Sequence, residues 1–180
     1  MSNASAPAPT PARAERRYRD MVISLVVLLV PIAVFLVLFR FSGDEEALIV
    51  DPGNAIAEAQ RAAAFPVAVP GDPGEGWRSV SAAFQPKEQG ATLRIGYLSP
   101  SGGGIQLVES SEPTDPLLIR ELGDQTRPTG FTTVGSRTWD TYEIRGGSER
   151  ALVATEPGRT LIVVGQADVA ELEHLAAALE

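Results

Sequence analysis

Nineteen consecutive residues, Met21 to Phe39, carry no charge, and no other feature of the chain constrains its folding so strongly. At about 1.5 Å per residue a helix of that length reaches roughly 28 Å, close to the roughly 30 Å hydrocarbon layer of a bilayer. Most of its positions are Val, Leu, Ile or Phe, each favourable by roughly 0.3 to 0.6 kcal/mol at mid-membrane, which outweighs Ser24 and Pro31. A helix of a soluble domain keeps a polar stripe for solvent, whereas this run is apolar on every face. It predicts a transmembrane helix over residues 21–41, with a kink at Pro31 that a membrane helix tolerates.

The charges on either side give the run a direction. Arg13, Arg16, Arg17 and Arg19 precede it, while Asp44, Glu45 and Glu46 follow with Arg40 as the one nearby basic residue. The positive-inside rule then predicts a cytoplasmic N-terminus and an extracytoplasmic C-terminal domain. A cleaved signal peptide fits less well, because the run is long and Arg40-Phe41-Ser42-Gly43-Asp44 has no small-residue cleavage pattern. Residues 1–20 open with Ala, Pro, Ser and Thr and read as a disordered cytoplasmic tail. Residues 42–50 form a short acidic stalk, so the following domain is expected near the bilayer surface.

Residues 51–180 suffice for one domain and are few for two cores. From Phe41 to Glu180 ten basic residues stand against twenty-one acidic ones, a net of −11. Such a surface repels phosphate backbones and has no basic stripe with interleaved aromatics, so nucleic acid is excluded as a partner. The absence of Cys removes disulfides, zinc–thiolate sites and thiol nucleophiles.

Within the domain, Asp51 and Pro52 read as the start of a helix running to Ala64. A loop rich in Pro and Gly follows to Trp77. Leu93, Ile95 and Tyr97 alternate with polar or small residues over Thr92–Leu98, the period of a half-buried strand. Ile105–Glu109 is its expected antiparallel partner across the Ser101–Gly104 loop. Thr114-Asp115-Pro116 opens a helix that Gly123 closes. Four strands follow at Phe131–Val134, Thr138–Arg145, Arg150–Thr155 and Thr160–Gly165. Within the last of these, Leu161–Val164 is apolar without alternation, so that strand is expected at the sheet centre, covered on both faces. Asp168 and Glu171 match a capping box before a helix striped by Leu172, Leu175, Ala176 and Leu179. The order predicts an α+β domain: a mainly antiparallel β-sheet with packed helices.

The motifs also carry a resemblance. Arg17-Tyr18-Arg19-Asp20-Met21-Val22-Ile23-Ser24 leading into the apolar run, Gly76-Trp77-Arg78, Leu93-Arg94-Ile95-Gly96-Tyr97, and Val163-Val164-Gly165 before the last helix resemble the actinobacterial membrane proteins grouped as domain of unknown function family 4245. The resemblance covers the chain from about Arg16 to the C-terminus. It implies a single-pass envelope protein and supplies no catalytic residues.

Chemistry-bearing residues are sparse. His174, the one His, falls roughly opposite Leu172 and Leu179 on the last helix and is expected at the surface without a catalytic or metal-binding partner. Serine has neither a nucleophile elbow nor a His base. Glu109, Glu112, Asp140 and Glu143 lie in or near strands and would have to converge on one cleft to act on a glycoside; a solvated sheet face is the plainer expectation. Asp44-Glu45-Glu46 lacks the spacing of a calcium loop, and Gly102-Gly103-Gly104 lacks the Lys and hydroxyl residue of a phosphate loop. No metal and no cofactor are therefore expected. Trp77 and Trp139 are the candidate binding residues, since a Trp combines a large apolar body with one N–H donor. Tyr142 and Ile144 should share one sheet face and Trp139 take the other.

These residues favour a membrane-anchored, non-enzymatic binding module whose partners are the lipid bilayer and a neighbouring membrane or envelope protein. A small carboxylate-dependent envelope hydrolase and a transmembrane regulatory protein are the alternatives.

Overall fold

The computed structural model describes residues 12–41, 49–68, 70–124 and 126–179, and within the first helix the side chains of 21–36 alone. The chain forms two compact units, Met1–Glu46 and Ala47–Glu180. The first holds one helix, α1, Ala12–Phe41, with Pro31 inside it. Residues 1–11 of the expected tail and 42–48 of the expected stalk lie outside the described residues. Every described side chain of α1 is exposed. Among the described residues no helix is long and apolar enough to cross a membrane.

The second unit is an α+β fold. It runs α2 (Gly53–Ala62), β1 (Arg78–Lys87), β2 (Gly90–Leu98), β3 (Gly104–Ser110), α3 (Thr114–Leu122), β4 (Pro128–Val134), β5 (Arg137–Ile144), β6 (Glu149–Glu156), β7 (Arg159–Gly165) and α4 (Val169–Ala177). The strands make one antiparallel sheet in the order β1-β2-β3-β7-β6-β5-β4. Two meanders thus meet at β3 and β7. After β3 the chain stands at the sheet centre, and α3 carries it over one face to the far edge, from which hairpins bring it back. β7 is buried at all seven positions, as its unbroken apolar run predicts for a strand covered on both faces.

The two faces are built differently. Leu93, Ile95, Leu107, Trp139, Leu161, Val163, Leu172 and Leu175 form the larger core, which Ala59, Phe65 and Ala68 complete. Helix α2 packs on β1 and β2, and α4 on β6 and β7. On the opposite face Val108, Tyr142, Ile144, Val153 and Ile162 meet Leu117 and Leu122 of α3. One helix of nine residues therefore serves a whole sheet face.

Two expectations are corrected. The first is β1, where no strand was expected. Its Ser79, Ser81, Ala82 and Ala83 give a weak alternation, and cross-strand pairing makes the strand: Ala82 lies opposite Ile95 and Phe84 opposite Leu93, so neighbours override propensity. The second is half of the capping box. The Asp168 side chain makes no cap bond, while the Glu171 carboxylate takes the Asp168 backbone N–H and also accepts hydrogen bonds from the Ser101 hydroxyl at 2.8 Å and backbone N–H at 3.3 Å, because the β2–β3 loop lies against the start of α4.

The close spacing of β7 and β3 also needs one bare backbone. A Cβ on Gly165 would meet the Gly104 carbonyl oxygen and the Ile105 Cα, both backbone, so β7 ends in Gly where it crosses the start of β3.

Candidate binding surface

The four carboxylates that a hydrolase would need together are kept apart by the pleat. Glu109 shares the β3 face of Ile105 and Leu107, whereas Glu112 belongs to the α3 side. On β5, Asp140 alternates with Glu143, so these two also take opposite faces, and both are exposed.

Glu109 is fully buried. Its Oε2 accepts the Ala68 N–H at 2.8 Å and lies 3.8 Å from Arg159 Nη1, while Oε1 has no hydrogen-bond partner. Burial pushes its carboxyl up to about 7, against the opposing pull of the Ala68 N–H and Arg159. A raised carboxyl is a common mark of a catalytic acid, yet this one lies under the 65–68 segment with no exposed surface. Arg159 donates to the Pro66 carbonyl and to Glu156, so both charged groups act as clamps on that segment.

Glu112 is an ion-pair hub. Arg120 donates to both its oxygens, at 2.9 and 2.8 Å, and Lys87 Nζ lies 2.9 Å away. Hydrogen bonding from Arg120 brings its carboxyl down to about 2, with Thr92 and Lys87 adding to the effect. Together with Arg94 and Glu121, this network ties α3 to β1 and β2. Among the described residues no group of three His, Cys, Asp or Glu could hold a metal ion.

The aromatic candidates have separate fates. Trp139 is wholly buried in the larger core with its Nε1 unpartnered, leaving no surface for a ligand. Trp77 is half-buried, edge-on to Tyr97 at 6.3 Å and stacked on His174 at 5.7 Å. His174 is exposed, as its helical phase predicts, but its Nε2 also bonds the Pro73 carbonyl at 2.8 Å. The pair fastens the 70–77 loop to α4.

The open apolar surface lies on the α3 face. A groove of ≈ 400 Å³ runs between α3 and the β4–β5 hairpin, lined by Leu118, Ile119, Leu122, Pro128 and Tyr142, with Asp115 and Arg127 at its rim. Pro128 lies opposite Tyr142 and Phe131 opposite Asp140, so Phe131 continues the same face. Phe131 is 76% exposed and Ile119 56%. Sequence reasoning missed this surface. One signal was present: Leu117, Leu118 and Ile119 are consecutive, and a short helix with one buried face cannot cover all three.

A family profile described as protein of unknown function (DUF4245) matches residues 13–179. The chain belongs to that family. No curated protein shows a significant match. The matched span takes in both α1 and every strand of the sheet, so membership in the DUF4245 family concerns the helix and the domain together. The Gly76-Trp77 and Val163-Val164-Gly165 motifs mark positions that this fold uses: the Trp77–His174 clasp and the β7–β3 close approach.

Proposed function

We propose that this DUF4245 chain is a membrane-tethered binding module of the cell envelope. In this reading α1 is an uncleaved signal-anchor, its basic N-terminal flank stays in the cytoplasm, and the Ala47–Glu180 unit works outside close to the bilayer. The charge asymmetry about Met21–Phe39 supports the orientation, and the all-round exposure of the apolar α1 side chains suits a lipid environment.

The observation that carries the binding reading is the exposed apolar side chains Ile119, Pro128 and Phe131 beside the α3 groove. Contiguous exposed apolar surface rimmed by polar residues marks interaction sites more often than chance. The scattered carboxylates favour this reading over the hydrolase: Glu109 is sealed, Glu112 is paired, and Asp140 and Glu143 face opposite ways.

Two experiments test it. Single cysteines at Ser5 and at exposed Ser136, in a chain free of other thiols, are treated with an impermeant thiol reagent on spheroplasts. Labelling at Ser136 alone is expected, and labelling at Ser5 alone overturns the orientation. For the surface, the Ile119→Ser, Phe131→Ser double variant should fold normally but lose complementation of a deletion strain, while Asp140→Asn and Glu143→Gln complement fully. Failure of a single amide variant with normal folding would replace this reading by the hydrolase.

A further inference from the structure

The chain just after α2 lies as a strap over the larger core, and much of what holds it is polar. Phe65 and Ala68 are buried, but Pro66 is exposed and Val67 half-buried. Glu109 of β3 binds the Ala68 N–H at 2.8 Å, and Arg159 of β7 binds the Pro66 carbonyl. Further on, the Gly71 N–H bonds the Ala178 carbonyl at 3.0 Å and Pro70 bridges Leu179, so the strap is also joined to the chain after α4. Arg137 of β5 donates to the Leu179 carbonyl. The strap leaves α2 through Ala63, whose φ of 49° is left-handed, a conformation costly to a residue with a side chain.

The charges under the strap do not balance. Glu156 of β6 takes Arg137 and Arg159 at 2.7 Å each, and both guanidiniums also hold the carbonyls they clamp. Glu109 is left with Arg159 at 3.8 Å and with Oε1 unpartnered. Tyr97 of β2 faces it as well; burial, and then the Glu109 charge, push that phenol up to about 12, so it stays neutral. Residues 65–68 carry no ionisable side chain, and Glu58 and Arg61 of α2 are exposed. On α4, Glu171, Glu173 and His174 bond Ser101, Thr132 and the Pro73 carbonyl instead. An ionised Glu109 therefore has one hydrogen bond beneath the closed strap, whereas a lifted strap would give both its oxygens water.

We propose that the strap is a pH-released latch: it closes over the protonated Glu109 carboxyl and lifts when that carboxyl ionises, baring Glu109 and the Phe65 side of the core while the sheet stays folded. This goes beyond the binding-module reading and does not depend on it. The sign follows from the raised carboxyl. Burial lifts Glu109 from 4.5 to about 7, so closure is fully favoured below about pH 4.5 and that advantage is lost as pH rises through about 7. The Ala68 N–H and Arg159 pull the other way, which keeps release near neutral pH.

The test is amide hydrogen exchange in the full chain in detergent micelles, corrected at each pH for the rate of an unstructured peptide. Ala68 and Gly71 report the strap, and 161–164 of β7 report global unfolding. Protection at Ala68 and Gly71 should be lower than in β7, depend less on denaturant, and fall about twentyfold between pH 5.5 and 7.5. Glu109→Gln keeps an acceptor for the Ala68 N–H and should remove that fall. Arg159→Met should move the pH at which the fall levels off upward, whereas loss of a merely structural clamp would lower protection equally at every pH. In the unmutated chain, carbon-13 detection of the Glu109 carboxyl should show it titrating where the fall levels off. The proposal is overturned if Ala68 exchanges only together with β7, if its protection is independent of pH, if the fall persists in Glu109→Gln, or if the carboxyl titrates elsewhere.

Discussion

Glu109 Oε2 holds the backbone N–H of Ala68 at 2.8 Å across forty-one residues of chain. The bond fastens the segment after α2 to the central strand β3, and Arg159 from β7 fastens the same segment through the Pro66 carbonyl. A carboxylate in the core is costly, because burial favours its neutral form. Here the cost is partly offset by one charge-assisted hydrogen bond and a guanidinium, with Oε1 left over.

The first prediction follows from that cost. Burial raises the Glu109 carboxyl from 4.5 to about 7, so the folded chain binds this proton more tightly than the unfolded chain. The contribution is fully present below about pH 4.5 and is lost as pH rises through about 7, an effect on the order of 3 kcal/mol. Denaturant titrations of the full chain in micelles should show stability falling from pH 5 to pH 8. Glu109→Gln should flatten that slope; an unchanged slope would assign it to another group.

Glu112 predicts the opposite limb. Pairing with Arg120 lowers its carboxyl to about 2, so its contribution is present above about pH 4.5 and is lost as pH falls toward 2. Glu112→Gln should cost about 1 to 2 kcal/mol at pH 7, with α3 exchanging its amides faster. Asp140→Asn should cost less than about 0.5 kcal/mol.

Gly165→Ala should destabilise the domain by about 1 to 3 kcal/mol, because the new methyl meets backbone that cannot rotate away. Circular dichroism melts should detect it, and Gly104→Ala, whose Cβ meets nothing within 4 Å, serves as the control.

Leu172 and Leu175 are both fully buried, so truncating either to Ala should cost about 2 to 4 kcal/mol. Trp139→Phe should cost less than Trp139→Ala, for which about 3 to 5 kcal/mol is expected, because Phe keeps most of the volume and removes the unpartnered Nε1. A Phe variant as unstable as the Ala variant would mean that Nε1 is satisfied by buried water.

The sequence by itself determined the features that depend on local period. The apolar run Met21–Phe39, the alternation in Thr92–Leu98, the unbroken Leu161–Val164 stretch and the Leu172–Leu175 stripe each bias one element type, and the pleat alone separates Trp139 from Tyr142. Tertiary structure decided what depends on neighbours. β1 exists because Ile95 and Leu93 pair with it, not because its Ser and Ala residues favour a strand. Glu171 kept the Asp168 N–H that a capping box predicts and gained Ser101 as a second donor because the β2–β3 loop lay within reach. Glu109 became a buried clamp and Asp140 a surface acid although both sit in strands, since only the stacking of α2, α3 and α4 fixes which sheet faces are closed. For the same reason the apolar surface around Phe131 was not legible: a strand's period reports its two faces, while edge position and exposure follow from the order in which distant strands pair.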